Sequence, residues 1–240
     1  MTNSEKIIVG HQPQYFPYLG ILDKISKSDI FLFVDSTKFV KKIWHNRTII
    51  KDNKDNVFYL TIPTINNGYQ KIKDVKISDE NWKKKHLKTL RLNYKKMEHF
   101  DEIYEDIEKV ILQKSNFLMD YTAESMKLIL KNIEYNKNNI YTQSDLGISG
   151  EKNNLIINIV NHFGSKKYLS GEGGKNYVDE KLLKQSGIDH KFNNFLHPIY
   201  KQHGLKFVQN LSSIDSMFSL GYNGFKKLFK KTTKKTTKKT

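Results

Sequence analysis

Two short, wholly apolar runs, joined by a proline-bearing turn and one short helix, constrain this chain more than any other feature. The first, Lys6-Ile7-Ile8-Val9, ends at Gly10; the second, Ile30-Phe31-Leu32-Phe33-Val34, ends at Asp35. A strand with one wet face alternates polar and apolar residues. A strand that is apolar throughout is buried on both faces, as in a parallel sheet covered by helices. Between the runs, His11–Gly20 holds Pro13 and Pro17, which resist helix and strand alike, and residues 21–28 read as helix. The expected core is therefore a βαβ unit, and the expected fold class is α/β with a Rossmann-like parallel sheet.

The rest of the chain adds to that core. Residues 47–51 and 57–62 flank the polar turn Asp52–Asn56 and predict a hairpin, and 71–77 predict a further strand. From Ser78, taken as a helix N-cap, the pattern turns helical. Trp82, His86, Leu90 and Tyr94 recur every four residues on one face, and two more helices follow at 100–113 and 115–132. After a polar break at 135–139 come a helix at 151–163, a strand at 167–169, a glycine-rich turn at 170–174, a helix at 178–185, a strand at 188–192 and a last helix at 213–220. This predicts one α/β domain over residues 1–225, with a mostly helical insertion at about 78–134. A Lys/Thr-rich tail at 226–240 has no means of building a core and is expected to be disordered.

Composition narrows the function. The chain carries 41 Lys+Arg against 25 Asp+Glu, a net charge of +16. Eight of the lysines lie in the tail; without them 33 basic residues face 25 acidic ones, a net +8. Such a body does not by its charge call for nucleic acid, and a nucleic-acid partner is expected only through the basic tail. With no cysteine in the chain, disulfides, thiolate metal sites and cysteine nucleophiles are excluded. No two histidines have zinc-site spacing, so no metal site is expected. No apolar run approaches the ~18 residues of a membrane span, and the N-terminus lacks a basic region followed by an apolar one. The expected setting is cytoplasmic.

Five clusters carry possible chemistry. His11, Gln12 and Tyr15 lie in the loop after the first strand, where parallel sheets bind ligands; Asp35 follows the second, and the helix near Ile21 points its dipole at a possible anion. The competing reading is a structural loop packed on the core. Lys41, Lys42, Trp44 and Arg47 offer cations for a phosphate or carboxylate and an indole for stacking, or else form a solvated basic loop. His86 and Tyr94 share a helix face with Trp82, which is either a site wall or core. Ser170, Gly171 and Tyr177 bracket a glycine-rich turn that lets a ligand approach the backbone. Ser170 is a nucleophile only with a base beside it. His197, Tyr200, Gln202 and Asp215 form the last group, in which Asp215 also suits a helix's first turn. The layout of the first segment resembles that of nucleotidylyltransferases, without their His-x-Gly-His motif. Ser170–Lys175 does not match a Walker loop.

Taken together, these motifs resemble the WbqC-like family. His11–Gly20 carries His-Gln-Pro-x-Tyr-x-Pro-x-x-Gly, followed by Asp35, by Trp44 with Asn46-Arg47, and by Leu60-Thr61-Ile62-Pro63. Lys85-His86-Leu87, Asn93-Tyr94, Tyr168–Gly171 with Tyr177, His197–Gln202 and Leu211–Asp215 complete the order. The family's Cys-Gly after the last helix reads Leu220-Gly221 here, so no role for that cysteine carries over. The resemblance implies an enzyme of surface-glycan, O-antigen-type biosynthesis: aminoacyl (glycine) or acyl transfer to a nucleotide-linked amino sugar. For such a reaction, the polar and basic residues at the inferred strand ends and in the other clusters give His11, His86 and Ser170 as candidate catalytic residues and Gln12, Tyr15, Asp35, Lys41, Lys42, Trp44, Arg47, Tyr94, Gly171, Tyr177, His197, Tyr200, Gln202 and Asp215 as candidate substrate-binding residues, with ATP as cofactor if the donor is activated in the same site. The alternatives are a nucleotidylyltransferase-like enzyme and a non-catalytic binding module using the basic tail.

Overall fold

The computed structural model describes residues 3–65 and 68–237, and the side chains of 4–65 and 68–228. Five strands form an all-parallel sheet: β1 (Ile7–His11), β2 (Ile30–Phe33), β5 (Ile140–Thr142), β6 (Lys167–Ser170) and β7 (Asp189–Phe192), in the spatial order β5-β2-β1-β6-β7. The expected hairpin, β3 (Arg47–Lys51) with β4 (Val57–Thr61), is antiparallel and forms a separate small sheet. The helices are α1 (Leu19–Ser26), α2 (Asn81–Tyr94), α3 (Phe100–Leu112), α4 (Leu118–Asn132), α5 (Lys152–His162), α6 (Glu180–Gln185) and α7 (Ser213–Thr237), the last broken at Gly221.

Strand periodicity divides the core. Val9, Phe31 and Phe33 point to one face of the sheet, where they join side chains of α1, the α2–α4 insertion and α7. Ile8, Ile30, Leu32 and Tyr168 point to the other, where α5 contributes Leu155, Ile156, Ile159 and Val160, and α6 contributes Leu183. The sheet is thus wound on both faces, a Rossmann-like core. All four residues of β2 are buried, as its apolar run requires.

Three local readings change. Residues 71–77 do not form a strand: Ile72–Asp74 is a 3-10 turn, tied in place by isolated bridges from Lys71, Lys76 and Ile77. Ile72 and Val75 are both fully buried, a spacing of three rather than two. Ser78 does not cap α2; its hydroxyl donates to Asp79, whose carboxylate accepts from the Asn81 amide. β5 directly follows the polar break at 135–139, in a stretch to which the sequence assigns no element. Of the tail at 226–240, the backbone continues α7 to Thr237, and 238–240 lie outside the described residues.

Candidate functional site

In a doubly wound sheet the two central strands send their chains to opposite sides, and the crevice at their carboxyl ends is where ligands bind. Here those strands are β1 and β6. Gly10 and His11 end one; Ser170 ends the other and runs into Gly171. A cavity of about 460 Å³ opens at this point. Its walls include Gly10, His11 and Gln12 from β1 and its loop, Lys24 from α1, Lys152, Leu155, Ile156 and Ile159 from α5, and Tyr168, Ser170, Gly171, Gly173 and Gly174 from β6 and the turn after it. Two lysines and a histidine line it, and no carboxylate does. Gly10 makes the seam possible: a Cβ there would sit 2.7 Å from the Tyr168 hydroxyl. The first turn of α1 does not line the cavity, contrary to the dipole expectation; Tyr18, its cap, bridges to Ser212 instead.

Lys24 is the unexpected group. It is only 2% exposed and makes no ion pair among the described residues. Its Nζ lies 3.1 Å from His11 Nδ1 and 3.3 Å from the Gly10 carbonyl. Burial draws its pKa down from 10.5 to about 7, because an ammonium taken out of water without a counter-charge is disfavoured. His11 is held well below the usual imidazole range, by burial first, then by Lys24 and His45. Its Nε2 also contacts the Gln14 amide at 3.0 Å. The Gln14 amide nitrogen donates to Nε2, so a neutral imidazole carries its one N–H on Nδ1, where Lys24 accepts as a free amine.

The loop after β1 is fastened on all sides. Gln12 donates to Thr37 and accepts from His45 Nε2 at 3.0 Å. Phe16 sits in the left-handed region at φ 43, with its amide donating to Ser125 and its carbonyl accepting from Thr48 and Ser212. Such a conformation persists only where its surroundings over-determine it. Tyr15 turns inward, its hydroxyl 3.1 Å from His86 Nδ1.

His86 is a core histidine. Its Nε2 donates to the Thr61 carbonyl, it packs on Trp82, and burial lowers its pKa to about 4. Neither His86 nor Tyr15 lines the cavity. Asp35 is also elsewhere: its carboxylate accepts from the Ser144 amide and hydroxyl and from Ser36, tying β2 to the end of β5. Lys41, Lys42 and Trp44 are exposed, and the Arg47 guanidinium stacks on Tyr59 at 3.9 Å; none of the four lines the cavity. Tyr94, Tyr200 and Asp215 do meet, but in a second buried cluster: both hydroxyls donate to the Asp215 carboxylate, at 3.1 and 2.9 Å. His197 stacks on Tyr200, and Gln202 closes its own loop onto Val208. Of the seventeen residues singled out from the sequence, His11, Gln12, Ser170, Gly171 and Tyr177 share the cavity.

The sequence reading missed Lys24 and His190. For Lys24 a signal existed. Leu19, Ile21, Leu22 and Ile25 surround so much of α1 that Asp23 and Lys24 have no exposed face left. Asp23 is answered by Lys27 and Asn193, and Lys24 by no acid. His190, on β7, comes within 2.8 Å of Ser170 Oγ, a pairing across strands that spacing alone does not reveal.

A family model described as the WbqC-like protein family matches residues 12–227, nearly the whole of the described chain. The chain belongs to the WbqC-like family. An uncharacterized protein of Mycobacterium tuberculosis, Rv1507c, is 24% identical over 213 residues, covering 88% of this chain and 92% of its own. No solved structure matches. The WbqC-like match takes in every wall of the cavity except Gly10 and His11, which directly precede it. Among the described residues no helix is long and apolar enough to cross a membrane.

Proposed function

We propose that this WbqC-like protein is a transferase that holds a nucleotide-linked amino sugar in the switch-point cavity and moves an acyl or aminoacyl group to the sugar's amine. The observation that carries this reading is Lys24: a buried amine, without an acidic partner, in a cavity that has cations and no carboxylate. Such a group is satisfied by an anion brought in from outside, and a sugar's diphosphate supplies one. Lys152 adds a second charge, and the glycines at 171, 173 and 174 let the ligand lie against the backbone. His11 beside Lys24 is the base that takes the proton released as the amine acylates. An anion on Lys24 raises the basicity of the neighbouring imidazole by opposing the lysine's charge. Activation of the donor in the same site would require ATP.

The test is a thermal-shift panel of nucleoside triphosphates, nucleotide sugars with and without an amine, and glycine. A ligand at ~100 times its Kd stabilises by about 2.7 kcal/mol, a rise in Tm of roughly 5–10 °C for a chain of this size. Lys24→Met should lose that response. It should also raise the ligand-free Tm by roughly 2–4 °C or more, since it removes an unpaired buried charge. Retention of the full response in Lys24→Met overturns the assignment. The loop from β1 into α1 also fits a second reading, nucleotidyl transfer: pyrophosphate release from a triphosphate, with no response to amino sugars, selects it.

A further inference from the structure

Ser170 and His190 form a pair that anion binding does not use. β6 and β7 run in register with Tyr168 opposite His190 and Ser170 opposite Phe192. Side chains two apart share a face of a strand, so Ser170, Tyr168 and His190 lie on the same side of the sheet. His190 Nε2 is 2.8 Å from Ser170 Oγ, and the imidazole lies parallel to the Tyr168 ring and edge-on to Phe192. Its Nδ1 is buried and makes no hydrogen bond. The serine lines the switch-point cavity; the histidine lines a separate open groove, with Glu180 and Lys184. The imidazole thus connects a hydroxyl inside the cavity to the protein surface. Burial holds its pKa below the ordinary imidazole value, against the pull of Glu180 and Asp189. The turn after Ser170 puts glycine at 171, 173 and 174, and Gly171, Gly173 and Gly174 line the same cavity as the serine.

We infer that Ser170 is the nucleophile of a two-step transfer and His190 its base, with an acyl-serine between the steps. This rests on the acyl-transfer reading above. The donor class is a mixed anhydride of a carboxylic acid and a phosphate. Ser170 Oγ attacks the acyl carbon and its proton passes to His190 Nε2. The bond from acyl carbon to phosphate oxygen breaks, and the phosphate leaves as an anion next to Lys24. The sugar amine then attacks the ester carbon. The C–N bond forms, the bond to Oγ breaks, Oγ recovers the proton from His190, and the amine's proton goes to His11. Serine activation by an adjacent imidazole is a known route to such intermediates.

The test needs no natural substrate. The full-length protein is incubated with a fluorophosphonate probe, which forms a P–O bond to an activated serine with loss of fluoride, and the adduct is located by peptide mass spectrometry. The expected result is one adduct on Ser170, absent in Ser170→Ala and formed about 10²-fold or more slowly in His190→Gln. Variants are compared only where their circular dichroism and melting match the wild type. If His190→Gln does not fold, the pH profile of labelling in the wild type serves instead, with labelling lost as the imidazole protonates. No adduct, an adduct at another residue, or equal rates in wild type and His190→Gln overturns the inference. Failure of the two readings is separable. Labelling at Ser170 without any nucleotide-sugar response sinks the proposed substrate and leaves the nucleophile; a nucleotide-sugar response without labelling does the reverse.

Discussion

Lys24, His45 and His86 are three buried bases with two different relations to the fold. His45 and His86 are each 2% exposed and fully used as neutral rings, one donating to Gln12 and the other bridging Tyr15 and Thr61. Both pKa values fall from 6.5 to about 4. Between those values the unfolded chain binds a proton that the folded one refuses, so stability is complete above pH ~6.5 and declines as pH falls toward 4. Each contributes a loss on the order of 2–3 kcal/mol across that window. Urea unfolding at pH 7, 5.5 and 4.5 should show the decline, and His86→Gln should flatten it; an unchanged midpoint down to pH 4.5 would place these rings in a wetter setting. Lys24 differs because no acid among the described residues answers its charge. Its folded pKa of about 7 lies below its ordinary 10.5, so stability gains from deprotonation as pH rises from 7 toward 10. A residue that costs the fold at neutral pH is one kept for its chemistry. The sequence showed His86 as a possible acid–base group because composition cannot tell a ring facing a cavity from one facing Tyr15.

At the scale of elements, the apolar runs at β1 and β2 and the four-residue spacing along α2 were legible because burial dictates both patterns. β5 was not. Ile140-Tyr141-Thr142 is three residues long and half-buried throughout, too short to show alternation, and its place comes from pairing with Phe31, Leu32 and Phe33. Residues 71–77 misled in the other direction, since Lys-Ile-Lys-Asp-Val-Lys-Ile resembles a strand while Ile72 and Val75 are placed three apart by a 3-10 turn. The β1–β6 seam is tightly packed. A methyl group at Gly10 would meet Tyr168 at 2.7 Å and Val34 at 3.1 Å. Gly10→Ala should therefore cost about 1–3 kcal/mol and narrow the cavity. Denaturant melts with and without the best ligand would register both effects. An unaffected ligand response would mean that Tyr168 swings aside and that the cavity's width is not set there.

Over the whole molecule, one helix closes the structure against the insertion. α7 sets Met217, Phe218 and Phe225 in the same core as α2, α3 and α4, and Lys226 pairs with Glu134. Ending the chain at Leu228 should leave stability within about 0.5 kcal/mol of the full-length protein and preserve any ligand response. Ending it at Gly224 should cost about 3–5 kcal/mol through the loss of Phe225. Equal melting of the two truncations would show that the end of α7 does not seal the core.

The strand order bears on how the chain acquires this arrangement during synthesis. β1 is the central strand and is synthesised before the rest of the sheet, yet one of its two neighbours begins at Lys167, which pairs with Ile7 160 positions earlier. At about 5–20 residues per second, one edge of β1 waits roughly 8–30 seconds for its partner. The cavity lies along that late-closing edge. A nascent chain therefore carries a partly built β1–β2 half well before it has a place to bind anything, and a ligand can assist only the final docking of the second half.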